Sequence, residues 1–136
     1  YNLSSTTDKA IVTFKPIGKR AKINAELTLK TTTGTTGFFF HINDTGSYYK
    51  IVLDATKNAI IGYNSASQET TRMSFGLQTN TKYDVEIVAE GSVVVLYING
   101  KAALTNRVYG RDKYQWGIIA EGQNATVSNI QLRQSE

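Results

Sequence analysis

Two short segments concentrate the side chains that could do chemistry. Asn106-Arg107-Val108-Tyr109-Gly110-Arg111-Asp112-Lys113-Tyr114-Gln115-Trp116 holds two arginines, an aspartate, two tyrosines and the only tryptophan. His41-Ile42-Asn43-Asp44-Thr45-Gly46-Ser47-Tyr48-Tyr49 carries the only histidine and a similar mixture of acid, amide and aromatic groups. An aromatic ring offers a flat apolar platform, and arginine and carboxylate groups make paired, directional hydrogen bonds. That combination suits the two aspects of a sugar, its C–H face and its hydroxyls. The residues so nominated for ligand contact are Arg107, Tyr109, Arg111, Asp112, Tyr114, Asp44 and Tyr48. Each segment also reads as an ordinary loop with aromatic anchors, and Trp116 reads as core before platform.

Bond-breaking chemistry finds less support. Glycoside cleavage needs two carboxylates about 5–9 Å apart, which on one strand face means acids two or four residues apart. Asp84 and Glu86 form such a pair, with Glu90 further along, but they alternate with Tyr83, Val85 and Ile87 and so occupy the wet face. Solubility and edge protection are the weightier reading there. With one histidine and no cysteine, disulfides, thiolate metal sites and multi-histidine centres are excluded. Asn43, Asp44 and Asp54 supply oxygens that a structural calcium could use, but calcium takes about six to eight, and turns favour these residues for backbone reasons alone. No other cofactor is implied.

The chain has 136 residues, 15 basic and 11 acidic, for a net charge of +4. The dense basic run is Lys15, Lys19, Arg20 and Lys22, interrupted by Pro16 and Gly18. It reads as a solvated loop and strand edge ahead of a polyanion-binding stripe. No zinc-finger, KH or RNP pattern accompanies it, so nucleic acid is not an expected partner. No apolar run approaches the roughly 20 residues of a membrane helix.

The elements that must position these side chains read as strands. From Lys22 to Lys30, Ile23, Ala25, Leu27 and Leu29 alternate with polar residues; from Lys82 to Ala89, Tyr83, Val85, Ile87 and Ala89 do the same. Period two predicts half-buried strands. Gly37 to Ile42 contains Phe38, Phe39 and Phe40 in a row, so one ring leaves the main core or both faces are covered. Asn99-Gly100 between two apolar runs predicts a type I′ hairpin. Ala10–Phe14, Tyr48–Leu53, Ala59–Tyr63, Glu69–Phe75, Trp116–Ala120 and Ala125–Leu132 complete the set, and no stretch shows helical periodicity. Short strands at intervals of about 8–12 residues predict an all-β, two-sheet antiparallel sandwich of the concanavalin or jelly-roll kind, as one domain over residues 1–136.

The last third resembles a known family. Ser92-Val93-Val94-Val95-Leu96-Tyr97-Ile98-Asn99-Gly100-Lys101, then Ala103-Leu104-Thr105-Asn106-Arg107-Val108-Tyr109, then Gly117-Ile118-Ile119-Ala120-Glu121-Gly122, is similar to the C-terminal β-sandwich of glycoside hydrolase family 32, the levanases, inulinases and invertases. Ile23-Asn24-Ala25-Glu26-Leu27 and Tyr49-Lys50-Ile51-Val52-Leu53 resemble its earlier strands. The same stretches resemble the fructan-binding carbohydrate-binding module family 66 and, more loosely, laminin-G sandwiches. The chain departs from the pattern at Val94, where the family carries glutamate, and at Gly110, where it carries proline. The acidic motifs of the catalytic propeller do not occur. The resemblance implies a non-catalytic module, carbohydrate-binding or accessory, of a secreted or surface-exposed bacterial glycan-degrading protein. Its partners would be a glycan, with fructan suggested, and the parent catalytic domain. The alternatives are a purely structural sandwich that braces that domain, and a polyanion-binding domain.

Overall fold

Alternation decides which side chains turn inward. Ala21, Ile23, Ala25, Leu27 and Leu29 are buried along one strand and Tyr83, Val85, Ile87 and Ala89 along its neighbour, while the residues between them face outward. The computed structural model describes residues 1–4 and 9–135 and shows twelve strands: β1 (Asn2–Ser4), β2 (Lys9–Phe14), β3 (Arg20–Leu29), β4 (Thr35–His41), β5 (Tyr48–Asp54), β6 (Ala59–Tyr63), β7 (Glu69–Ser74), β8 (Lys82–Glu90), β9 (Val93–Ile98), β10 (Ala102–Arg107), β11 (Trp116–Glu121) and β12 (Asn124–Ser135). A 3₁₀ turn, Arg111–Lys113, is the one helical element among the described residues. Strand β1, at three residues, is too short to show a period and is the strand that alternation misses.

The strands form two antiparallel sheets of six. The first runs β1-β12-β3-β8-β9-β10 and the second β2-β11-β4-β5-β6-β7. Ile23, Leu27, Ile87 and Leu96 of the first sheet meet Phe38, Phe40, Ile51 and Ile118 of the second in one core. Each such side chain contributes about 1.5–3 kcal/mol when fully removed from water. The fold is the expected two-sheet sandwich.

Both readings of the Phe38-Phe39-Phe40 run hold. Phe38 and Phe40 enter the main core. Phe39 points to the outer face of the second sheet and is still buried, packed with Val52 and Ile119 beneath Tyr48 and Tyr63. The β9–β10 hairpin closes with Asn99 at φ 52° and Gly100 at φ 65°, the pair of positive angles that a type I′ turn requires.

Candidate functional site

Strands β7 and β10 are the last strands of their sheets and face each other across one side of the sandwich. Asn106, on β10, points inward and is buried. Its Oδ1 accepts hydrogen bonds from the Tyr49 hydroxyl of β5 at 2.7 Å and the Thr71 hydroxyl of β7 at 2.6 Å. Its Nδ2 donates to the Leu104 carbonyl at 3.2 Å. The Thr70 hydroxyl pairs with that of Tyr49. Buried polar groups without partners cost about 1–3 kcal/mol each, so this network holds only as a unit. It fits because position 62 of β6 is glycine. A Cβ there would stand 2.2 Å from Asn106 Oδ1, 2.5 Å from the Thr71 hydroxyl and 2.7 Å from the Tyr49 hydroxyl.

Above this polar floor opens a cleft of about 470 Å³, with Arg107 and Tyr109 on one wall and Asn64, Thr70 and Thr71 on the other. Tyr109 is 70% exposed, an unusual state for a large aromatic side chain in this protein. Arg107 gives one hydrogen bond, to the Ser92 hydroxyl at 3.3 Å, and keeps most of its five donors unspent. The cleft therefore offers a ring for stacking, a guanidinium for hydroxyl or carboxylate oxygens, and a rim of small polar groups.

The other nominated residues go elsewhere. Asp44 and Tyr114 line a separate hollow of about 300 Å³ together with His41, Pro16 and Lys113. Tyr48 lies on the outer face of the second sheet, edge-on to Phe39 and His41, with Lys9 Nζ 5.0 Å from its ring centre. Arg111 corrects the expectation of ligand contact. It is 2% exposed, and its two Nη atoms donate to the carbonyls of Gly18 at 3.0 Å and Lys19 at 2.6 Å. Burial pulls its pKa below the ordinary arginine value, with Asp112 beside it opposing the shift. The guanidinium fork ties the 3₁₀ turn to the loop between β2 and β3 and presents nothing to solvent. Asp112 sits beside it, half-buried, and lines neither hollow.

Two of the three side chains considered for calcium, Asn43 and Asp54, serve turns. Asn43 Oδ1 accepts from the Thr45 amide at 3.1 Å, the Thr45 hydroxyl at 2.8 Å and the Ser47 amide at 3.1 Å. Asp54 Oδ1 accepts from the Lys57 amide at 2.9 Å. Among the described residues no three His, Asp or Glu side chains gather as metal ligands.

Comparison with known proteins places the chain in a family. The model of the family described as GH32, BT1760-like, C-terminal domain matches residues 1–132. The chain belongs to that family. It is therefore the C-terminal, non-catalytic module of the glycoside hydrolase family 32 architecture, carbohydrate-binding or accessory in function, and not itself the enzyme. Among solved structures, the carbohydrate-binding module CBM66 from Bacillus subtilis is similar at 14% identity and a TM-score of 0.77, covering 94% of this chain and 83% of that one. A β-fructofuranosidase from Aspergillus kawachii, complexed with glycerol, is similar at 16% identity and a TM-score of 0.76, covering 99% of this chain and 26% of that one. The galectin LEC-6 of Caenorhabditis elegans follows at 15% identity and a TM-score of 0.61, with 95% of each chain covered. The GH32 C-terminal module thus spans about a quarter of the β-fructofuranosidase. At these identities the likeness is one of fold. No curated protein sequence matches.

Neither the Asn106 floor nor the role of Gly62 was visible in the sequence. Asn106 opens one of the two chemistry-bearing segments and Tyr49 closes the other, but their partners Thr70 and Thr71 lie in a strand with weak alternation.

Proposed function

We propose that this GH32 C-terminal module captures a fructan chain in the cleft between β7 and β10 and holds it near the catalytic domain of its parent protein, outside the cell or at its surface. The observation that carries the reading is the exposed Tyr109 ring beside the underused Arg107 guanidinium, above a floor whose polar groups are already satisfied. Ligand groups then bind to the walls without competing with the fold. The fold likeness to CBM66 and to a β-fructofuranosidase supports fructan as the first ligand to try. Tyr1, Ile11 and Leu132, exposed on strands or ends that neighbour one another at β1, β2 and β12, favour a second reading in which that edge braces the catalytic domain.

Native gels containing levan, inulin, xylan, β-glucan or heparin test the proposal, each run with and without calcium. Retardation by levan or inulin, weakened in Arg107→Ala and Tyr109→Ala, is the expected result. Retardation by heparin alone, lost at high salt, would move the case to Lys15, Lys19, Arg20 and Lys22. Migration unaffected by every glycan would leave the bracing role.

A further inference from the structure

The outer face of the first sheet carries a row of polar side chains that the fold leaves unused. In register across four strands, Gln131 of β12 opposes Asn24 of β3, Asn24 opposes Glu86 of β8, and Glu86 opposes Tyr97 of β9. Neighbouring strands lie about 4.8 Å apart, so the row extends about 14 Å from Gln131 to Tyr97. The residues alternating with it, Ile23, Ala25, Val85, Ile87, Leu96 and Ile98, are buried, which fixes the row on the outer face. Asn24, Glu86 and Tyr97 are half-buried, yet none of the four makes a side-chain hydrogen bond or ion pair within the described residues.

The adjacent row behaves differently. Glu26 opposes Asp84, and Glu26 accepts a hydrogen bond from Asn129 and lies 3.6 Å from Lys82 Nζ. Its charge is answered by the protein, whereas that of Glu86 is not. The two rows enclose a groove of about 460 Å³. With Glu26 answered by Lys82, the carboxylates of Asp84 and Glu86 remain unpaired among the described residues and make this groove locally negative, so it repels uronates and sulfated chains. What complements an unpaired carboxylate flanked by two amides and a phenol ring is an uncharged molecule rich in hydroxyl donors and acceptors with an apolar face.

We infer that the row Gln131–Asn24–Glu86–Tyr97 is a second glycan-contact site, across which a neutral polysaccharide lies perpendicular to the strands. Glu86 accepts hydroxyl protons, Asn24 and Gln131 donate to and accept from neighbouring hydroxyls, and Tyr97 packs against a sugar face. The inference rests on the glycan-capturing reading above but not on the cleft that reading uses. It gives the module two contact surfaces for one polymer, and so a preference for long chains over short ones.

The test uses levan, inulin, xylan and β-glucan in native gels, with the variants Asn24→Ala/Glu86→Ala, Glu86→Gln and Tyr97→Ala beside Arg107→Ala. Unchanged melting temperatures verify that the outer-face variants fold. The expected result is a loss of about tenfold or more in retention by the polymer that retards the parent protein, the size of one hydrogen bond to a charged group, with Glu86→Gln intermediate. Backbone amide shifts on adding short oligosaccharides of that polymer then move at positions 24, 86 and 97. Parental retention in the Asn24→Ala/Glu86→Ala variant while Arg107→Ala weakens it overturns this inference and leaves the cleft standing. Failure of all four polymers to retard the parent protein overturns the glycan-capturing reading itself.

Discussion

Gly62→Ala is the sharpest perturbation of the cleft floor. Position 62 is absent from the residues with positive φ, so alanine meets no backbone strain there. Away from other atoms, the change would stabilise the protein by about 0.4–1 kcal/mol through the unfolded chain. Space decides the sign instead. The added Cβ would lie 2.2 Å from Asn106 Oδ1, 2.5 Å from Thr71 and 2.7 Å from Tyr49, and no side-chain rotation of alanine relieves that. The Asn106 amide must swing away, and the Tyr49 and Thr71 hydroxyls lose their common acceptor. At about 1–3 kcal/mol per buried group left unsatisfied, the expected net loss is about 2–4 kcal/mol. For a chain of this size that is a fall in melting temperature on the order of 10 °C. Urea unfolding followed by tryptophan fluorescence reads the loss, since Trp116 is buried. Combining Gly62→Ala with Asn106→Ala removes the nearest obstruction, so the double variant should be more stable than the sum of the single effects predicts. A Gly62→Ala protein as stable as the parent would falsify the reading of this network as a space-limited unit.

Three further outcomes follow from the same reasoning. Gly100→Ala is the converse case: nothing lies within 4 Å of the new Cβ, but φ is +65°, so the cost is conformational alone, about 1–2 kcal/mol, read by chemical denaturation. Arg111→Met removes both Nη donors, orphans the Gly18 carbonyl and leaves the Lys19 carbonyl with the Gly91 amide as its remaining donor. It should cost about 2–4 kcal/mol and speed amide exchange at the Gly91 amide, which donates to the Lys19 carbonyl; glycan retention of the folded variant should stay parental, and its loss would restore Arg111 to the ligand set. Phe39→Ala should destabilise by about 3–5 kcal/mol despite lying outside the main core, whereas a change within about 0.5 kcal/mol would show that the second apolar cluster contributes nothing.

The strands were legible because their signals are local. Ile23 to Leu29 and Tyr83 to Ala89 alternate over a full strand length, and Asn99-Gly100 names its own turn. Side-chain destinations were legible only where alternation settles them. Nothing near Arg111 in the chain announces that two carbonyls more than ninety residues earlier will take its donors, and an arginine beside Asp112 in a glycine-containing loop reads as exposed. Alternation puts Asp84 and Glu86 on the wet face, where they stand, but a sequence cannot say that Gln131, Asn24 and Tyr97 stand in register with Glu86 and hollow that face into a groove. The cleft at Arg107 and Tyr109 was half-legible for the same reason: one wall is a contiguous segment, and the other is a strand of the opposite sheet.

The Asn106 network also bears on the order of folding. Its two bonds to hydroxyls bridge 57 and 35 residues of chain, and both require strands of one sheet to have settled against the other. Closing loops of that length must be offset before such contacts form, so the network belongs to the late side of the folding barrier. Weakening it should leave the folding rate nearly untouched and raise the unfolding rate. The residues that shape the cleft are then also a kinetic latch, and the lifetime of the folded domain against proteolysis depends on the floor of that cleft.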